Sequence, residues 1–179
     1  MKDTGIVRRL DMLGRVVVPK EIRSVLKIDF GDQIEIWTDK DSVILKKYYP
    51  LQNIGESAEG VAKSLSAFTG HEVAVSDGER LVAVFGKTLK RYEGESISGE
   101  LKKLIQERKT LSVCFNDGGN ALAVSGEEKD FYNQLFIPIE KDGEAIGLIM
   151  LLNAEKERRI TEQDMKLALL CARLIAETV

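Results

Sequence analysis

The first 49 residues place the tightest constraint on how this chain can fold, because they are too few to build a stable core alone. They contain apolar, strand-like runs at 4–10 and 16–18, a short helix at 19–26 and a strand pair within 33–47. Neither cysteine of the chain lies in this segment to brace it. We therefore expect two copies of the segment to pair, which would also close their strand edges.

Charge is distributed unevenly along the 179 residues. Residues 1–27 carry seven basic and three acidic side chains, whereas the remaining 152 residues carry 19 basic and 26 acidic ones. The net charge is therefore +4 over the first part and −7 over the second. A basic segment on an acidic chain indicates a local site for a polyanion. The alternative is a basic surface that contacts only solvent.

Residues 53–179 follow a short linker at 50–53 and are predicted to form a separate domain. Three Asp-Gly dipeptides lie between apolar runs in this region, and that pattern is a strong hairpin signal. Helices are predicted from apolar spacing and from end signals such as Gly70 and Thr161. The predicted strand pairs are 72–75 with 81–85, 111–115 with 121–124 and 134–139 with 145–152, and the predicted helices are 58–68, 98–108 and 161–179.

Two resemblances to known families extend these predictions. The run DMLGRVVVPKEIR at 11–23, preceded by GIVRR at 5–9, resembles the AbrB-type transition-state regulators, and the similarity continues to residue 48. This resemblance implies that residues 1–50 form a swapped-hairpin β-barrel, in which two interleaved chains bind DNA. The element order over 53–179 resembles a GAF sensor domain, an antiparallel sheet flanked by helices. The expected fold class is thus α+β.

Double-stranded DNA is the partner that the first resemblance implies, with contacts from Arg8, Arg15 and Arg23. Adjacent strand residues point to opposite faces, so we expect Arg8 or Arg9, but not both, to face DNA. The family often has a second basic residue after Arg23, where this chain has Ser24, so the family's affinity does not transfer directly. The full set of expected DNA-contact residues is Arg8, Arg9, Arg15, Lys20, Arg23 and Lys27.

The helix predicted at 161–179 is apolar on two sides, and both sides need to be buried. One side can cover the domain's own sheet, and we expect the other to pack against the helix at 58–68 of another chain. Two dimers, each formed through residues 1–50, would then join through residues 53–179 into a homotetramer. The alternative is that one chain covers both sides. The expected interface residues are Ala58, Val61, Leu65, Phe68, Leu170 and Leu174.

The sequence lacks the residue patterns of several other protein classes. Its single histidine, His71, is expected to be a surface or packing residue, and no cluster has the spacing of a metal site or catalytic centre. We therefore expect no enzymatic activity and no cofactor. The apolar runs are too short to cross a membrane, and no signal peptide is evident, so a cytoplasmic, nucleoid-associated protein is expected.

Taken together, these patterns predict a DNA-binding transcription regulator. The resemblance implies that it controls spore-development genes as activator and repressor, and that the GAF-like domain oligomerises and is a candidate sensor of an unidentified small molecule. Two alternatives stay open. One is an antitoxin-type swapped-hairpin protein that binds DNA and a protein partner. The other is a small-molecule-binding protein whose basic segment only drives assembly.

Overall fold

The chain divides near residue 49 into two units, the head (Met1–Tyr48) and the body (Tyr49–Val179). The computed structural model describes residues 4–49, 51 and 55–179 of these units. The linker predicted at 50–53 lies outside the described residues except for Leu51, which is fully buried in the core of the body. This leucine therefore belongs to the packed domain and not to a linker.

Residues 4–48 of the head form one short helix and one hairpin. Helix α1 (Lys20–Leu26) follows Pro19 and ends at Lys27, whose φ of 52° is left-handed. Strands β1 (Ile34–Asp39) and β2 (Ser42–Lys47) pair in antiparallel register through a tight turn. These elements confirm the helix and the hairpin predicted from the sequence.

Two predicted strands of the head, at 4–10 and 16–18, are not strands in the single chain. A strand exists only where a neighbouring strand accepts and donates its backbone hydrogen bonds, and the sheet of the described head residues contains only β1 and β2. The apolar side chains of the two segments are correspondingly exposed: Val7 by 84%, Leu10 by 68% and Val17 by 77%. No side chain among residues 4–48 is buried.

The described residues of the body form five strands and three α-helices. The strands are β3 (Glu72–Asp77), β4 (Leu81–Phe85), β5 (Leu111–Val113), β6 (Asn133–Lys141) and β7 (Glu144–Asn153), and the helices are α2 (Gly55–Thr69), α3 (Gly99–Glu107) and α4 (Glu162–Thr178). The strands form one antiparallel sheet with the order β4-β3-β7-β6-β5. Helices α2 and α4 cover one face of the sheet, and α3 covers the other.

Strand β7 shows how one sheet supplies two cores. Ile149 and Leu151 face α2 and α4, whereas Leu148, Met150 and Leu152 face α3, and all five are fully buried. Successive strand side chains point to opposite faces, so a strand covered on both sides is a continuous apolar run. This explains the unbroken apolar sequence of β7.

The end signals predicted for the helices are confirmed. Helix α2 stops at Thr69 before Gly70, which has a φ of 69°. At the start of α4, the hydroxyl of Thr161 accepts from the Asp164 N–H, and the Asp164 carboxylate accepts from the Thr161 N–H at 2.8 Å. This reciprocal capping box satisfies donors that would otherwise lack a partner within the helix.

One predicted hairpin, 111–115 with 121–124, is wrong. Strand β5 pairs with β6 instead, and residues 121–124 form no strand. The side chain of Gln134 takes the place of a pairing strand: its Oε1 accepts from the Leu122 N–H at 2.8 Å, and its Nε2 donates to the Leu122 carbonyl at 2.7 Å. The other two Asp-Gly hairpins form as predicted.

His71 is buried at the point where three elements meet, with 3% of its surface exposed. Its Nδ1 accepts from Asn153 Nδ2 on β7 at 3.0 Å, which leaves the ring proton on Nε2, 3.4 Å from Asp164 Oδ2 on α4. Burial lowers the pKa of His71 and outweighs the attraction of Asp164, while Arg158 lowers the pKa further. The neutral ring is therefore a packing residue that joins β3, β7 and α4.

The glycines of the body provide a matched test of its packing. A Cβ on Gly147 would lie 2.0 Å from the Ser76 carbonyl oxygen, whereas a Cβ on Gly60, inside α2, would meet nothing within 4 Å. We expect Gly147→Ala to destabilise the body by about 2–3 kcal/mol, and Gly60→Ala to stabilise it by about 0.5–1 kcal/mol. Urea unfolding measures both, and equal stability of the two variants would contradict the close approach of β3 and β7.

His71 predicts a pH dependence of stability. The unfolded histidine has a pKa near 6.5 and the folded one a lower pKa, so below that value the unfolded chain binds more protons. Its contribution is therefore fully present above about pH 6.5 and is lost as the pH falls toward the folded pKa. Urea unfolding of the wild-type chain should show lower stability at about pH 6 than at about pH 7.5. The variant His71→Gln should show no such difference, and an unchanged difference would contradict this assignment.

Candidate nucleic-acid interface

The head exposes all six basic side chains that the sequence analysis assigned to DNA. Arg8 and Arg23 border an apolar groove on the head. Arg9 is not among the residues that line this groove in the described head. Lys20 and Arg23 are three residues apart on α1, so they lie on one side of the helix. The exposed residues are Arg8, Arg9, Arg15, Lys20, Arg23 and Lys27.

Arg15 is held in a turn by Asp11, a residue that the sequence analysis did not assign to the site. One carboxylate oxygen of Asp11 accepts from the Leu13 N–H at 2.9 Å and from the Arg15 N–H at 2.8 Å. The other accepts from Arg15 Nε at 2.7 Å. Gly14 allows this geometry with a φ of 74°. The backbone N–H of Arg15, followed by its guanidinium, holds the pKa of Asp11 below its usual range.

The end of α1 is tied to the hairpin by charged groups. Lys47 on β2 donates to the Lys27 carbonyl at 3.2 Å and pairs with Asp32 at 2.9 Å. Burial disfavours the charged form of Asp32, but the Asp29 N–H and the Lys47 ammonium outweigh it and lower its pKa. These contacts fix the direction in which α1 presents Lys20 and Arg23.

An open apolar groove of about 370 Å³ runs through the head. Apart from Arg8 and Arg23, every residue that lines it is apolar. Such a surface, rimmed by charged side chains, is typical of a protein–protein contact. The apolar lining residues are Ile6, Val16, Val17, Val18, Pro19, Ile22, Leu26, Ile28, Ile34 and Leu45.

The body corrects part of the predicted oligomer interface. Ala58 and Leu65 are 0% and 3% exposed because they pack against the sheet of their own chain. Val61 is partly buried against the same core. None of these three is therefore available as the outward face of α2. Phe68, by contrast, is 83% exposed at the end of α2.

Helix α4 has one buried and one exposed apolar side. Ala168, Ala172 and Ile175 pack on the sheet, whereas Leu170 and Leu174 are about half exposed. Leu167 is also exposed and lies on the same side as Leu170 and Leu174, so the outer side of α4 forms an apolar ridge. The exposed part of the predicted interface is thus Phe68, Leu170 and Leu174.

The body offers few groups for other chemistry. Cys114 and Cys171 are half-buried free thiols, and burial raises the pKa of Cys171. Over residues 4–49, 51 and 55–179, no three His, Cys, Asp or Glu side chains are arranged to hold a metal ion. Within the same described residues, no helix has the length and apolar character needed to cross a membrane.

Comparison with known proteins relates both units to described families. The family model "Stage V sporulation protein T C-terminal, transcription factor" matches residues 53–179. Stage V sporulation protein T of Bacillus subtilis (strain 168) is 40% identical over 157 residues, 87% of this chain and 87% of that protein. The transition state regulatory protein AbrB of the same organism is 42% identical over 78 residues, 44% of this chain and 81% of AbrB.

The body also has the fold of known GAF domains. The GAF domain of an Acinetobacter phosphoenolpyruvate-protein phosphotransferase matches with a TM-score of 0.58 at 11% identity, covering 69% of this chain and 80% of that chain. A likeness at this level of identity concerns the fold alone. It confirms the antiparallel sheet with flanking helices predicted for residues 53–179.

Proposed function

This chain belongs to the family of stage V sporulation protein T, and on that premise we propose that it regulates transcription of sporulation genes by binding double-stranded DNA through its head. The observation that carries the proposal is the exposed basic surface of the head, which accounts for a net charge of +4 over residues 1–27. The family model's description as a transcription factor supports the same function. Phosphates supply most of the affinity of such a surface.

The arginines and lysines of the head can contact DNA in different ways. Arginine presents a planar fork that matches a phosphate or a guanine edge, whereas lysine acts as a point charge. Arg15 lies in its turn, and Lys20 and Arg23 lie together on α1. Ser24 follows Arg23 and adds no charge, so each head makes one ionic contact fewer than a head with two consecutive basic residues.

We infer that the head acts as an intertwined homodimer. No residue from 4 to 48 is buried, and the groove along α1 and the hairpin is lined almost wholly by apolar side chains. Burial of one leucine or valine contributes roughly 1.5–3 kcal/mol. Burial of the exposed apolar side chains of residues 6–17 against a second copy would therefore strongly favour dimerisation. The matching segments of a second copy are the natural occupants of the groove. Dimerisation would also double the basic surface.

The body is proposed to join two such dimers into a tetramer. The ridge on α4 and Phe68 on α2 are apolar and exposed in the single chain. Four heads on one assembly would bind neighbouring DNA sites with a high effective concentration. This assembly is the function that we propose for the outer side of α4.

The finer parts of the proposal rest on the family and on the GAF fold. They are an activating and repressing role, a location on the nucleoid in the cytoplasm, the lack of an enzymatic activity, and a small-molecule signal for the body. Phe131, Phe136 and Met150 fill the sheet face under α3 and are at most 1% exposed. A ligand on that face would therefore have to displace packed side chains, and its binding would be coupled to rearrangement of α3.

Replacement of single arginines tests the DNA interface. We expect Arg15→Ala and Arg23→Ala each to weaken binding by about 1–3 kcal/mol, or roughly 5- to 150-fold, where the lost contact is to a base edge. The variant Lys63→Ala removes an exposed charge from α2 of the body and should leave binding unchanged. Fluorescence anisotropy over a range of salt concentrations measures affinity and the slope of log K against log salt. If Arg15→Ala changes neither quantity, the interface is misassigned.

Two substitutions on α4 test the tetramer. Leu170 is 55% exposed, so Leu170→Glu should give a folded chain of half the wild-type assembly mass, because charge on the ridge prevents its burial. Ile175 is 1% exposed, so Ile175→Glu should unfold the body. Light scattering and circular dichroism distinguish these results. An unchanged mass for Leu170→Glu would contradict a tetramer built on this side of α4.

A further inference from the structure

The structure presents one acidic residue where electrostatics alone would disfavour it. The carboxylate of Asp11 lies 2.7 Å from the guanidinium of Arg15, on a surface proposed to approach DNA phosphates. A negative charge there repels a polyanion and lowers the net charge of the site. If charge alone determined affinity, removal of this carboxylate would strengthen binding.

We propose that Asp11 is a positioning residue that fixes the conformation in which Arg15 meets DNA; this inference rests on the proposed DNA-binding function. Asp11 makes three hydrogen bonds within the turn, two to backbone N–H groups and one to Arg15 Nε. The backbone adds a pair of bonds, from the Asp11 N–H to the Arg15 carbonyl and from the Gly14 N–H to the Asp11 carbonyl, both 3.0 Å. The turn and the side chain of Arg15 are thereby held by the same carboxylate.

The geometry leaves the recognition edge of Arg15 outward. Asp11 engages Nε, and the side chain of Arg15 is 71% exposed. A guanidinium bonded through Nε keeps its two terminal nitrogens as a fork for a phosphate or a guanine edge. Because the side chain is ordered before it binds, less conformational entropy is lost on contact with DNA. This gain opposes the repulsion between the carboxylate and the phosphates.

The substitution Asp11→Asn separates the two effects. Asparagine keeps a carbonyl oxygen that can accept from the Leu13 and Arg15 N–H groups, so the turn is retained. It places an N–H₂ group where Asp11 accepts from Arg15 Nε, so the contact that orients the guanidinium is lost. It also removes one negative charge. Positioning therefore predicts weaker DNA binding, whereas electrostatic repulsion predicts stronger binding.

The experiment uses the full chain and a fluorescent duplex that the wild-type chain has selected from a randomised library. We expect Asp11→Asn to weaken binding about three- to fivefold, the upper part of the range for an exposed ion pair. The matched control is Asp41→Asn, which removes the same charge from an exposed position in the β1–β2 turn, and it should bind at least as tightly as the wild type. In an Arg15→Ala background, Asp11→Asn should cause no further loss.

The outcomes distinguish this inference from the function on which it rests. If Arg15→Ala weakens binding and Asp11→Asn does not, the DNA interface stands and the positioning role is overturned. A loss on Asp11→Asn that persists in the Arg15→Ala background overturns it as well, because Asp11 then acts by another route. If Arg15→Ala itself has no effect, the interface assigned to Arg15 fails, and the inference fails with it.

A spectroscopic measurement on the wild-type chain needs no folded variant. In the chain labelled with ¹⁵N-arginine, the Nε–H resonance of Arg15 should shift when acid protonates Asp11, with a midpoint below the usual range for aspartate. An Nε–H resonance of Arg15 that is insensitive to this titration would overturn the contact.

Discussion

Burial of apolar surface is the interaction on which this molecule depends, and its two units obtain it differently. The body buries both faces of its sheet with its own helices. The head buries none of its residues from 4 to 48, although Val7, Leu10 and Val17 are apolar and exposed. Because folding is driven mainly by the removal of such surface from water, the second copy in the proposed dimer would supply the core that residues 4–48 lack. In the proposed dimer, the basic side chains of the two heads would also take a fixed arrangement relative to each other.

In the proposed dimer, the same division would couple assembly of the head to DNA recognition. Arg8 and Arg23 border the groove that a second copy would fill, so the dimer contact and the basic surface share their edges. The Lys27–Lys47–Asp32 contacts hold α1 against the hairpin within one chain. The Asp11 turn holds Arg15 in a comparable way. Local polar contacts thus set side-chain directions, and in the proposed dimer apolar burial between chains would set the spacing of the basic side chains.

Much of the fold could be predicted from the sequence because its signals are local. Thr161 and Gly70 mark helix ends through their own backbone chemistry, and the Asp77 and Asp142 hairpins need only a turn between apolar runs. The hairpin predicted at Asp117 was wrong because the side-chain amide of Gln134, 12 residues along the chain from Leu122, pairs with the backbone of Leu122. The strands predicted at 4–10 and 16–18 do not form in the single chain, because a strand also needs a neighbouring strand with which to pair.

The same reasoning applies to the site. Periodicity showed that Ala58 and Leu65 lie on an apolar face, but it could not show whether their own sheet or another chain covers it. Asp11 was missed although its spacing from Gly14 and Arg15 is typical of a turn in which an aspartate accepts from the following N–H groups. The turn at Asp11 could have been predicted from the sequence. Which surface covers the apolar face of α2 could be learned only from the structure.

A head without a core of its own would also affect the lifetime of the proposed dimer. Interleaved chains cannot separate as folded bodies, so exchange of subunits requires both heads to unfold first. Under the proposed intertwined dimer, partners chosen at synthesis would stay together, and an assembly would keep its composition until it is degraded. Mixed dimers with a related head would then form only when both chains are made at the same time.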